Sequence, residues 1–261
     1  MVPAPWTWDF AWGEAVVVAL AAGAYAVAAR RYLPSAARIA AFAAAAVLVL
    51  GLFVTPLATL ARHYLLSAHL LQNVALAEWA PALAVLGLSP GMALALGRRR
   101  ALRLLTRPLV ALPLWLAVYG VWHVPAVYDA ALRDTALLQL EHASYFLAGA
   151  ALWWPVFHSN PWRIPPGAKA VYLFGAFVLA SPIGLLLALL PRAVYDFYVN
   201  APRIWDLSPL TDQQIAGVLM AASEAAVFFG VFVLYFVRFL TEEDKEPSGL
   251  TPGRETSAPP P

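Results

Sequence analysis

The sequence predicts an all-α integral membrane protein, a polytopic bundle of about seven transmembrane helices with its N-terminus outside and its C-terminus inside. Three observations lead there. Of the 261 residues, 62% are hydrophobic and 12% are charged, where a soluble domain carries about 25% charged residues. The apolar residues form long unbroken runs, unlike the alternating segments of about 10 residues that build a membrane β-barrel. The basic residues gather in every second connection between those runs.

Taken in order, the N-terminal segment Met1–Trp12 has no basic stretch and carries Asp9, so no removable signal peptide is expected. Its Trp6, Trp8 and Trp12 suit a membrane interface. Seven spans then follow, at roughly Ala11–Ala29, Ile39–Leu60, Tyr64–Leu88, Pro108–Val124, Leu137–Phe157, Ala170–Leu190 and Ile215–Leu240. Each is close to the ~20 residues that cross ~30 Å of hydrocarbon, and the fourth is the shortest. Residues 1–240 form one transmembrane domain. The tail from Thr241 to Pro261 is charged and then rich in Pro, Ser and Gly, a composition that predicts a disordered cytoplasmic segment.

Charge tests the count. Arg30, Arg31 and Arg38, the cluster from Arg98 to Arg107, Arg163 and Lys169, and the tail hold 13 of the 17 basic residues. Arg62, Arg133, Arg192 and Arg203 lie in the opposite connections. Basic residues favour the cytoplasmic side, which places the first set inside and requires an odd number of spans. The pI is therefore a topology signal, and no nucleic-acid partner is expected; the bilayer is the partner. The chain has no cysteine, which excludes disulfides, thiolate metal sites and a cysteine nucleophile. No nucleophile–base motif, phosphate loop or paired-carboxylate arrangement points to an enzyme.

The start of the last span reads as a capping box, with Thr211 as the cap, Gln214 three residues on, and Asp212 favouring the positive end of the helix dipole. The aromatic connection Pro191–Leu210 before it belongs outside.

The histidines are unevenly placed. By the assigned orientation His63, His69, His123 and His142 fall in the outer third of the bilayer, with His69 and His142 roughly 8 Å below its outer boundary. His158 is at the cytoplasmic end. Intramembrane ionisable groups are costly and face a bundle interior. Imidazole and thioether both suit copper. His69, His123 and His142, with Met220 as a softer ligand, make a reasonable copper site, and Gln72, Asn73 and Glu141 are candidates to orient the imidazoles. The plainer reading is that these side chains bridge helices by hydrogen bonds worth about 1 kcal/mol each. Glu78 and Glu224, within spans, also admit a proton or ion path.

Three segments carry a family resemblance. The first is Ser67-Ala-His-Leu-Leu-Gln-Asn73 with Ala80-Pro81 and Leu86-Gly87. The second is Tyr119-Gly-Val-Trp-His-Val-Pro125, Tyr128-Asp129-Ala-Ala-Leu132, Glu141-His142 and Trp153-Trp154-Pro155-Val156. The third is Ser208-Pro-Leu-Thr-Asp-Gln-Gln214 with Gly217 and Met220. The chain resembles the CtaG-type cytochrome c oxidase assembly factors, the membrane-embedded bacterial family. The resemblance implies a seven-helix plasma-membrane protein that helps mature a heme-copper oxidase, with an oxidase subunit as partner and copper delivery at the extracytoplasmic face as its role. It maps the functional histidines onto His69, His123 and His142. Two positions depart from the pattern: Asn73 stands where a second histidine is usual one turn after the first, and Ala216 replaces a usual glycine. Asparagine is a poor copper ligand. The alternatives are a proton- or ion-coupled transporter, against which the absence of an internal repeat counts, a heme-binding protein using His69 and His142, and a helix scaffold.

Overall fold

The computed structural model describes residues 2–8 and 11–243, and among them every regular element is helical. They are α1 (Trp12–Tyr32), α2 (Ala36–Phe53), α3 (Pro56–His63), α4 (Leu66–Gly87), α5 (Pro90–Gly97), α6 (Arg100–Leu105), α7 (Pro108–Trp122), α8 (Pro125–Arg133), α9 (Thr135–Phe157), α10 (Pro166–Leu189), α11 (Asp196–Val199) and α12 (Pro209–Glu243). The tail expected to be disordered is helical as far as Glu243, and the rest of it lies outside the described residues.

Polarity is distributed as lipid demands. Leu109, Leu147, Val171 and Leu189 are 67–79% exposed, whereas Glu78, Glu141, Asp212 and Glu224 are at most 1% exposed. Water would favour the reverse, so an apolar solvent surrounds this bundle. By length and composition five helices can cross a membrane: α1, α2, α4, α10 and α12. The pair α7 and α8, bent by 74°, makes a sixth if it is one span. The expected seventh, α9, is long enough at 23 residues. Its Gln139, Glu141, His142 and Ser144 make it more polar than the five.

One expected span is divided at a proline, and a second proline starts a new helix just past another. The run Ile39–Leu60 breaks at Val54 and Thr55, because Pro56 has no N–H to continue α2. The Thr55 hydroxyl accepts from Leu57 N at 3.3 Å and donates to Gly51 O at 2.7 Å, ending one helix and starting the next. Past α7, Pro125 starts α8 at its steep angle.

α4 lies at the centre, against α2, α9 and α12. One of its turns, Ala75–Trp79, is π-helical. The cause is local: Pro81 cannot donate to the carbonyl of Ala77, which accepts instead from the indole of Trp115 at 3.1 Å. A second π-helical turn, Ala225–Phe229, interrupts α12. α10 and α12 approach to backbone contact, since a Cβ on Gly217 would stand 2.5 Å from the carbonyl oxygen of Gly184.

The start of α12 departs from the capping box. Ser208 is the cap, accepting from Thr211 N at 3.0 Å, and Pro209 is the first helical residue. Asp212 stands in the first turn of its own helix as expected, and its carboxylate also serves a second helix, as described below. The connection after α10 contains the short α11. It is held by Gln213, which accepts from Val194 N at 2.8 Å and donates to Arg192 O at 3.1 Å.

Candidate functional site

The site begins with a helix start that cannot cap itself. Leu65 precedes α4 and offers no side-chain acceptor. The carboxylate of Asp212, on α12, takes that role: it accepts from Leu66 N at 2.7 Å, Ser67 N at 3.2 Å and Ser67 Oγ at 2.6 Å. A negative group at a helix N-terminus is favoured by both hydrogen bonding and the dipole. This contact fixes α4 against α12 and sets His69 one turn inside.

His69 is buried. Its Nε2 lies 3.6 Å from Glu141 Oε1 on α9, beyond hydrogen-bond distance, and the same oxygen accepts from Asn73 Nδ2 at 2.8 Å. Asn73 stands four residues after His69, on the same helix face, and so holds the carboxylate beside the imidazole. Two of the three expected orienting residues are therefore in place. The third is elsewhere: Gln72 donates to Leu52 O at 2.7 Å and ties α4 to α2.

Adjacent residues on a helix point apart, and Glu141 and His142 obey that rule. Glu141 faces His69, while His142 Nδ1 meets Glu14 Oε1 of α1 at 3.1 Å. The rings of His69 and His142 nevertheless come within 6.2 Å, centroid to centroid. Both line a cavity of about 210 Å³ together with Glu14, Arg62, Gln72 and Gln139. Sequence reasoning missed Glu14. Its only signal was an acidic side chain in the first turn of the first span.

His123 closes α7. Its Nδ1 is 2.7 Å from the carbonyl oxygen of Tyr119, so that nitrogen carries the proton and Nε2 does not. Tyr128 lies between it and His69, with its ring 6.4 Å from His123 and 5.2 Å from His69. Tyr195 donates to His123 O at 3.2 Å, and Tyr198 donates to the carbonyl of Ala61. Burial pushes both phenols above their usual range, so they act here as neutral donors. Asp129 completes the outer layer by accepting from Asp196 N and Phe197 N at 3.1 and 3.0 Å.

Met220 is fully buried beside Gly184. It lies eight residues past Asp212, where His69 lies only three past Leu66. The thioether therefore sits deeper than His69, by about 7 Å at 1.5 Å per residue. His158, on the far side of the bundle, bonds to Val85 O through Nε2 at 2.9 Å, and burial lowers its pKa. It belongs to packing.

Nε2 of His69, His123 and His142, the hydroxyl of Tyr128 and Oε2 of Glu141 are buried with no hydrogen-bond partner. Buried polar atoms are rarely left so. Imidazole nitrogens are ligands for a soft or borderline metal ion. Among the described residues no three of His, Cys, Asp and Glu converge on one metal position.

The family model for the cytochrome c oxidase caa3 assembly factors matches residues 18–242 of the chain. No curated protein and no solved structure matches it.

Proposed function

The chain belongs to the cytochrome c oxidase caa3 assembly factor family, and on that premise we propose that it passes copper to an oxidase subunit at the extracytoplasmic face of the bacterial plasma membrane. In this reading the bundle has seven spans, α9 included, with the N-terminus outside. His69 and His142 receive the ion, His123 is the third imidazole, and Met220 is a deeper thioether.

The observation that carries the proposal is the pair of partnerless Nε2 atoms of His69 and His142, whose residues line one cavity. Their 6.2 Å centroid separation is of the size two imidazoles span around a shared ion, given metal–nitrogen bonds of about 2.0 Å. Asn73 in place of an imidazole lightens the ligand set, and its role becomes positional: it fixes Glu141, whose charge favours a cation beside His69. Bound copper would supply no catalysis in this scheme, because it is the cargo.

The test is copper content after purification in detergent under reducing, copper-replete conditions, with the His69→Ala, His123→Ala, His142→Ala triple variant alongside. About one copper per chain is expected, and a folded triple variant without it. Copper absent from a folded wild-type protein overturns the proposal. In a further variant, Asn73→His is expected to tighten Cu(I) binding, measured by competition with a chromogenic chelator. Unchanged or weaker binding would remove Asn73 from the site's description.

A further inference from the structure

A second polar cluster lies deeper in the bundle, apart from the imidazoles. α4 and α12 run side by side from a common point, where Asp212 binds the amide of Leu66. Glu78 is twelve residues beyond Leu66, and Glu224 is twelve residues beyond Asp212. At 1.5 Å per residue both carboxyl groups lie about 18 Å from that point, near the middle of a hydrocarbon layer about 30 Å thick.

Both side chains have no exposure. Glu78 falls inside the π-helical turn Ala75–Trp79, and Glu224 directly precedes the turn Ala225–Phe229. Such turns are rare and recur at functional sites. The two carboxyl groups act on each other electrostatically, and Tyr119 of α7 feels both. Tyr119 donates its hydroxyl to Glu224 Oε1. Three oxygens remain: Glu78 Oε1, Glu78 Oε2 and Glu224 Oε2 are buried and have no partner. The titratable groups facing the pair are Tyr119 and, beyond it, Tyr145 of α9, while Ser181 of α10 flanks Glu224. Among the described residues no basic side chain is ion-paired with either carboxyl group.

Two bare carboxylates in this position would each be strongly disfavoured by desolvation and would repel one another. The pair therefore calls for a cation. Neither residue lines the cavity beside the imidazoles or the apolar one between α10 and α12. A proton is the cation that needs no cavity. We propose that Glu78 and Glu224 form a proton-binding site at the membrane midplane. The proton arrives on hydronium, an O–H bond forms on a Glu78 oxygen, water is released, and the new O–H donates to Glu224 Oε2. Release reverses these steps. The partnerless oxygens are the independent mark of a ligand, and they distinguish this pair from Asp129 and Asp212, whose carboxylates are satisfied by backbone amides.

The test uses the whole protein in detergent. Dicyclohexylcarbodiimide reacts with protonated carboxyl groups in apolar surroundings, and peptide mass spectrometry locates the adduct. Labelling at Glu78 or Glu224 is expected, more than halved in strongly alkaline buffer, with Glu78→Gln sending the label to Glu224 and Glu224→Gln the reverse. Infrared spectra are expected to show a carboxylic acid C=O band that shifts in D₂O and is lost in the Glu78→Gln, Glu224→Gln double variant. If the variants do not fold, wild-type labelling and the wild-type band decide alone. Adducts confined to other carboxyl groups of folded protein, or no D₂O-sensitive acid band, overturn the proposal. Copper content does not enter these readouts, so the result is independent of the copper site.

Discussion

Replacing Asp212 by alanine is expected to destabilise the detergent-solubilised protein by about 4 kcal/mol, read as a lowered denaturation midpoint. The carboxylate accepts three hydrogen bonds while 1% exposed. Bonds to a charged acceptor contribute about 1.5–3 kcal/mol each, and removing the acceptor also strands the buried amide of Leu66. Shared geometry keeps the loss below the sum of three. Asp212→Asn retains one acceptor oxygen and should fall between alanine and wild type. The effect extends beyond stability. α4 has no cap of its own, so without Asp212 its first turn frays, and His69 stands in that turn. Copper content should then fall together with the midpoint. A loss under about 1 kcal/mol would mean that water satisfies the helix start, and Asp212 would lose its place as the anchor between α4 and α12.

That anchor marks where sequence reading stops. The class of the fold was legible because lipid imposes a composition: long apolar runs and clustered arginines need no tertiary information. The place of His69 and His142 in the first turns of their helices was legible for the same reason, since apolar runs mark where helices begin. Which residues face one another was not. Asp212 read as favouring its own helix dipole, and it caps a helix 146 residues away in the chain. Gln72 and Asn73 read alike as partners for imidazoles, yet one turns to α2 and the other to Glu141. Glu14 had no visible role until α1 packed beside α9. Each is a contact between distant segments, and a helical period carries no information about its partner.

The span count is met in part, at five helices or six with the bent pair, and α9 lies outside that number. Gln139, Glu141, His142 and Ser144 lower the hydropathy of α9, and part of the helix is turned to its neighbours: Leu138, Glu141, His142, Tyr145 and the run Ala151–Val156 are buried. A helix in that position can carry polar residues at no lipid cost. Pro56 and Pro125, in contrast, were visible breakers within or beside the spans, and both start new helices.

Gly149→Ala is the substitution expected to do most harm with the fewest atoms. An added Cβ would stand 2.3 Å from the carbonyl oxygen of Ala77 and 2.6 Å from Pro81 Cγ. Neither can yield easily. The Ala77 carbonyl is held by the indole of Trp115, and proline is rigid. Relief requires α9 to move away from α4. Forcing one methyl into a packed core costs about 1–3 kcal/mol, and more where backbone must shift. This shift acts on the two helices that carry the site, with His69 and Asn73 on α4 and Glu141 and His142 on α9. Gly149→Ala is therefore expected to lose copper even in the fraction that stays folded, measured as copper per chain after size-exclusion chromatography. A control separates packing from site geometry. Gly23→Ala meets nothing within 4 Å and should leave both stability and copper content unchanged. Equal copper in both variants would show that the distance between α4 and α9 does not govern the site, and the metal would then have to be held by ligands from one side alone.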